Sequence, residues 1–148
     1  MSRDIVYEIK GLVPEKVAVS IAAELLITED VDFEVDNAAK NFGYFAILSE
    51  RSDTRYQKLK YAFDAWHAEV ETRANLERKA EGLKSFTEHQ MKAHVRSQPK
   101  YSAFQTKMID LDEQRRILKV LLKAFEIKAG LIQTKASNRR SEMSKRGK

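Results

Sequence analysis

The chain has 148 residues, with 27 Lys/Arg against 22 Asp/Glu and a formal net charge of +5. It contains no Cys, which excludes disulfides, thiolate catalysis and Cys-based zinc sites. Only 5 Gly and 2 Pro are present, which favours long uninterrupted helices over a turn-rich β fold.

The length predicts a single domain. The opening MSRDIVYEIK has no apolar stretch of the secretory type. No apolar run reaches the ~20 residues that span a bilayer. A soluble, cytoplasmic protein with no membrane association is expected. The charge is divided unevenly. Residues 1–54 hold 5 Lys/Arg and 11 Asp/Glu, a net of 5 − 11 = −6. Residues 55–148 hold 22 and 11, a net of 22 − 11 = +11. An acidic head on a basic body implies either attraction of a polyanion and docking on a neighbour, or neutralisation of the halves within one molecule.

The first predicted element is a short helix over Pro14 to Leu26, with Pro14 at its first turn and Val17, Ile21 and Leu25 on one stripe. The acidic TEDVDFEVDN after it has weak periodicity and reads as a linker, so residues 1–35 form an N-terminal segment.

A long helix is predicted from about Asp36 to Ala80, with a possible bend at Gly43. Tyr56, Leu59, Phe63, Trp66 and Val70 alternate steps of 3 and 4, the a/d spacing of a heptad seam. Backward, the register passes Ser52 and Ser49, where packing should be weakest, and reaches Phe45 and Phe42. Gly82 suits the position after the helix end.

A short connecting helix follows in KSFTEHQMKAHVRSQPKY. Thr87 and Gln90 fit the capping-box pattern, and Met91 and Val95 are i, i+4 partners on one face. The helix closes before Pro99.

The last predicted helix opens near Ser97 and Pro99. Its seam runs Tyr101, Phe104, Met108, Leu111, Arg115, Leu118, Leu122, Phe125, Ala129, Ile132 in steps of 3 and 4. Arg115 is the one charge on it, and such a residue either fixes register or snorkels outward. Residues 137–148 are basic and aperiodic and are expected as a frayed end or a disordered tail. The fold class is therefore all-α: a long, coiled-coil-like helical hairpin over 36–136, with a short connecting helix and a short N-terminal helix.

Nothing in the residue pattern points to catalysis. His67, His89 and His94 have no metal-ligand spacing, and no phosphate loop or nucleophile motif occurs. Asp110, Asp112 and Glu113 are followed at once by Arg115 and Arg116, as in surface ion pairing. No metal, cofactor or enzymatic activity is expected.

The basic residues are the better candidates. Lys79, Lys84, Lys92, Arg96 and Lys100 lie close together, interleaved with Phe86, His89, His94 and Tyr101. Cations for phosphates beside rings for bases are what single-stranded nucleic-acid binders use. Lys135 and the tail together add six cations, Arg139 and Arg140 among them. Phe63, Trp66, Tyr101, Phe104, Met108, Leu111, Leu118, Leu122 and Phe125 form the candidate oligomer seam. Copies of the basic turn held by such a seam would bind a strand by avidity. A solvated helix face with a solubilising tail is the plainer alternative.

The layout from about residue 56 to 136 resembles the phage UvsY-type recombination mediator proteins. The resemblance lies in a charged long helix, then KSFTEHQMKAHV, then a heptad helix running to IKAGLIQ. It implies an oligomeric, ring-like, single-stranded-DNA-binding mediator that helps load a RecA-like recombinase onto strands covered by single-strand-binding protein, in an infected bacterial cell. Lys84 and Lys92 fall where the family has its basic segment. The competing expectation is a non-catalytic coiled-coil structural or adaptor protein that assembles through its heptad seams.

Overall fold

A computed structural model describes residues 4–13 and 17–147. In chain order it contains β1 (Val6–Ile9), β2 (Val17–Ser20), α1 (Ile21–Leu25), α2 (Val31–Ala80), α3 (Glu88–Arg96) and α4 (Pro99–Arg146). The chain is predominantly helical, and α2 and α4 make a helical hairpin with a short helix between them. It divides into two compact units: Met1–Ser52 with Gln114–Lys148, and Asp53–Glu113. On α2 the division falls at Ser52, and Ser49 and Ser52, where the weakest packing is expected, are instead buried.

In the first unit, β1 and β2 pair antiparallel, with Val6 opposite Ser20 and Ile9 opposite Val17. The helix expected over Pro14–Leu26 is corrected here, because residues 17–20 are a strand and only Ile21–Leu25 is helical. Pro14 itself lies outside the described residues. The physical reason is alternation. Val19 is buried while Ala18 is exposed, and β-branched Val17 and Val19 suit a pleated, half-buried surface. Gly11 holds φ 70° beyond β1, a conformation costly for a residue with a Cβ. Ser20 then caps α1 by accepting from the Ala23 amide, and its hydroxyl donates to Asp4 at 2.7 Å.

Ile9, Leu12 and Val19 are buried with Phe45 and Leu48 of α2 and Leu118, Leu121 and Phe125 of α4. The Phe45 and Phe125 rings stack at 4.9 Å. Gln114, only 3% exposed, clamps the hairpin: its Oε1 accepts from the Lys10 amide at 2.8 Å and its Nε2 donates to the Lys10 carbonyl at 3.1 Å. Arg51 donates to the Leu12 carbonyl at 3.0 Å.

Two further expectations change in this unit. The acidic stretch read as a linker is the beginning of α2, which starts at Val31 rather than near Asp36. Asp30 accepts from the Phe33 amide at 3.0 Å, and Asp32 and Glu34 lie in the first turn, where the helix dipole favours negative charge. Residues 137–146, expected to be frayed or disordered, continue α4 to Arg146. Lys145 and Arg146 sit in its last turn, where positive charge is favourable. α2 also passes through Gly43 as one continuous helix.

In the second unit, α2 ends in the predicted manner. Gly82 takes φ +73°, its amide donates to the Lys79 carbonyl, and the Leu83 amide donates to the Arg78 carbonyl at 2.8 Å. This paired pattern is the Schellman motif. α3 has the predicted capping box: Thr87 accepts from the Gln90 amide, and Gln90 accepts from the Thr87 amide. Met91 and Val95 are buried with Val70 and Ala74, and Trp66, Phe86 and Tyr101 pack around them. Ser97, expected to open α4, instead closes α3, its hydroxyl donating to the His94 carbonyl at 2.6 Å.

Candidate nucleic-acid interface

The turn between α2 and α4 is fixed at both ends by backbone geometry, so its side chains are presented from a defined frame. One residue that sequence reasoning passed over, Arg78, ties it together. Its Nε donates to the Lys84 carbonyl at 2.7 Å, and its guanidinium carbon lies 4.2 Å from the centre of the Phe86 ring. Phe86 in turn stacks on His94, 5.3 Å apart and 30° between planes. An Arg in the last helical turn beside a Gly stop was the available signal. It also serves the helix C-terminus electrostatically.

These contacts change the expected role of the rings. Phe86 and His94 are stacked on each other, and Tyr101 packs on the Met91–Val95 core, 6.0 Å from Phe63. Their faces serve the fold of the turn. His89 keeps an exposed position on α3.

The cations remain outside. Lys79, Lys84, Lys92, Arg96 and Lys100 are all exposed. Residues 78–100 carry 6 Lys/Arg and 2 Asp/Glu, a local net of 6 − 2 = +4. Lys92 pairs with Glu88 at 2.8 Å, one turn back on α3. The bond and charge of Lys92 hold the Glu88 carboxyl below its ordinary range. Among the described residues, Lys79, Lys84, Arg96 and Lys100 make no carboxylate pair.

Arg139 and Arg140 belong to the other unit. Arg140 is exposed on α4, whereas Arg139 faces Asp32 at 4.0 Å. Beside it, Lys135 pairs with Glu29 at 3.6 Å and donates to the Thr28 carbonyl at 3.3 Å. Lys128 pairs with Glu34 at 3.4 Å and donates to the Glu24 carbonyl at 2.8 Å. The Lys128 and Glu34 side chains are 12% and 7% exposed, so this last pair is buried. Burial pushes the Glu34 carboxyl up. The Thr28 amide and hydroxyl bonds and the Lys128 charge outweigh it, and the group ends below its ordinary value. The acidic head therefore does pair with the basic body inside one molecule, along α4 rather than at the turn.

The residues expected to form an oligomer seam are used within the chain. Phe63, Trp66 and Phe104 form one aromatic cluster with Tyr101, with Trp66 and Phe104 centred 5.3 Å apart and Phe63 and Phe104 5.6 Å apart. Leu118 and Phe125 are buried in the first unit's core, with Leu122 packed against it. Met108 and Leu111 are half-buried on α4. These contacts use seam positions of both α2 and α4 within each unit. They leave Val120, Ile127 and Leu131 exposed on another side of α4.

Among the described residues, no group of three or more His, Asp or Glu is placed to hold a metal ion. No described helix is long and apolar enough to cross a membrane. No protein-family model, curated protein or solved structure matches the chain.

Proposed function

We propose that the chain is a non-catalytic nucleic-acid-binding protein that holds the phosphates of single strands at the turn between α2 and α4. The observation that carries this reading is the set of exposed cations, Lys79, Lys84, Arg96 and Lys100, on a turn fixed by a Schellman stop and a capping box. A fixed cationic surface gains phosphate affinity without first ordering its own backbone. With Phe86, His94 and Tyr101 engaged in packing, binding depends on charge more than on base stacking, and sequence preference is weak. Single-stranded DNA as the natural ligand rests on the resemblance to UvsY-type mediators. So does action beside a RecA-like recombinase and a single-strand-binding protein as a homo-oligomer.

The test is fluorescence anisotropy of a labelled poly-dT oligonucleotide across a salt series. Affinity should fall steeply with salt, by about 0.7 log units per log unit of salt for each phosphate contact. The triple variant Lys84→Ala, Arg96→Ala, Lys100→Ala should bind more weakly and show a shallower slope. Absence of binding at low salt, or a triple variant indistinguishable from the parent chain, removes the reading.

A second reading, a structural or adaptor protein, is favoured by one observation. Val120, Ile127 and Leu131 repeat at steps of 7 and 4 on α4 and are 71%, 60% and 56% exposed. Such a stripe can seat another helix. Charge substitution at Ile127 that abolishes assembly while leaving oligonucleotide binding intact would favour it.

A further inference from the structure

The C-terminal part of the chain, residues 114–148, carries 11 Lys/Arg and 2 Asp/Glu, a net of 11 − 2 = +9, which exceeds the +4 of the turn. Lys128, Lys135, Arg139 and Arg146 are spaced 7, 4 and 7 residues apart on α4. Those intervals return to one helix face, over a length of roughly 27 Å. The first three of these cations are met by carboxylates of the acidic segment, Glu34, Glu29 and Asp32 in turn. Arg146 lies beyond that segment and is exposed.

The three pairs differ in kind. Glu34 and Lys128 are buried, and Glu34 is further held by the Thr28 amide and hydroxyl at 3.1 and 3.0 Å. Glu29 is 100% exposed and Asp32 is 87% exposed, with separations of 3.6 and 4.0 Å to their partners. Solvent-exposed pairs of that length are weak and are screened by salt. One end of the acidic segment is therefore fastened to α4, and the carboxylates nearer the end of the stripe are loosely engaged.

We infer that the α4 face of Lys135, Arg139 and Arg146 is a second binding surface for single-stranded nucleic acid, and that Glu29 and Asp32 occupy part of it as an internal competitor. A strand entering at Arg146 exchanges its phosphates for these two carboxylates, while Lys128–Glu34 keeps the segment attached. Phosphates and carboxylates seek the same guanidinium and ammonium donors, so the exchange replaces like contacts with like and releases counterions from the strand. The segment lowers affinity for short or sparse ligands and yields to long ones. This rests on the nucleic-acid reading above.

The experiment compares four proteins with a labelled poly-dT oligonucleotide at low salt: the parent chain, Glu29→Gln/Asp32→Asn, the turn triple variant, and a control, Asp36→Asn/Glu50→Gln. The control removes the same charge from exposed α2 positions outside the three pairs. Glu29→Gln/Asp32→Asn should bind about three- to ten-fold more tightly than the parent, and the control should gain less than half of that in logarithmic terms. Circular dichroism of each variant checks that the fold is kept. No gain in Glu29→Gln/Asp32→Asn, or an equal gain in the control, overturns the inference, and the turn reading survives if the triple variant still binds more weakly. A gain in Glu29→Gln/Asp32→Asn with no loss in the triple variant supports the α4 surface and removes the turn. If none of the four binds, both fall.

Discussion

Lys128 and Glu34 are the clearest case of a side-chain pair whose value depends on burial. Removing one partner of a buried pair leaves the other charge desolvated, which typically costs about 3–5 kcal/mol. Lys128→Ala should therefore lower the unfolding midpoint in urea well beyond Lys135→Ala, whose pair is exposed and screened by solvent. The pair also sets a pH dependence. Glu34 titrates below its ordinary value of 4.5 in the folded chain, so its contribution is complete above that value. It is lost as pH falls through the lower folded value. Thermal melts between about pH 6 and pH 3 should show the parent losing stability in this window, with Glu34→Gln losing less. Arg78 is a different case. Arg78→Ala removes both the contact over Phe86 and the bond to the Lys84 carbonyl. A loss of about 1–2 kcal/mol is expected. Increased amide exchange around 83–87 should accompany it.

Individual elements are held by local devices that sequence spacing reveals well. The stop at Gly82 and the start at Thr87 enclose a short loop, and each uses a residue type with few substitutes. Gly82→Ala places a Cβ at φ +73° and should cost about 1–2 kcal/mol, although nothing lies within 4 Å of the new atom. Thr87→Ala removes the side-chain acceptor for the Gln90 amide and should cost about 1 kcal/mol. Both are readable as midpoint shifts in denaturant, and loosening of the turn should weaken oligonucleotide binding in parallel. The α2 N-terminus is instructive in the opposite way. Asp30, Asp32 and Glu34 carry the residue types of a helix start, yet their acidic run without apolar periodicity was legible only as a linker. The same segment reaches α4 through Glu29, Asp32 and Glu34, and one-dimensional spacing contains no record of a partner about a hundred residues away.

At the scale of the whole molecule, residues of the heptad seams pack against one another within the chain. A 3-and-4 repeat states that a helix has an apolar face, and is silent on whether the opposing face belongs to the same chain. Leu118 is fully buried among hairpin and helix residues, so Leu118→Ala should cost about 2–5 kcal/mol. Loss of helical signal should accompany that change, with the same shift in midpoint at low and high protein concentration. A seam between copies would instead make the shift concentration-dependent. Leu118 and Phe125 are buried in the first unit's core, whereas Phe63, Trp66 and Phe104 are half-buried. Exposed Val120, Ile127 and Leu131 offer a surface for self-association.

The amino-acid sequence by itself determined the helical class, the two long helices, the capped short helix and the Gly82 stop. These follow from periodicity and from the chemistry of a few end residues, which act over one or two turns. It also identified the cations of the turn, because charged side chains stay at the surface wherever the backbone runs. Tertiary structure decided the rest. Val17–Ser20 became a strand because β1 and the core were there to receive it. Phe86 packed against the Met91–Val95 core, with Arg78 over its ring and His94 stacked on it. The acidic head found its counter-charges on α4. Each of these outcomes depends on groups of different elements brought together in space, whose pairing lowers the free energy only after the chain has folded.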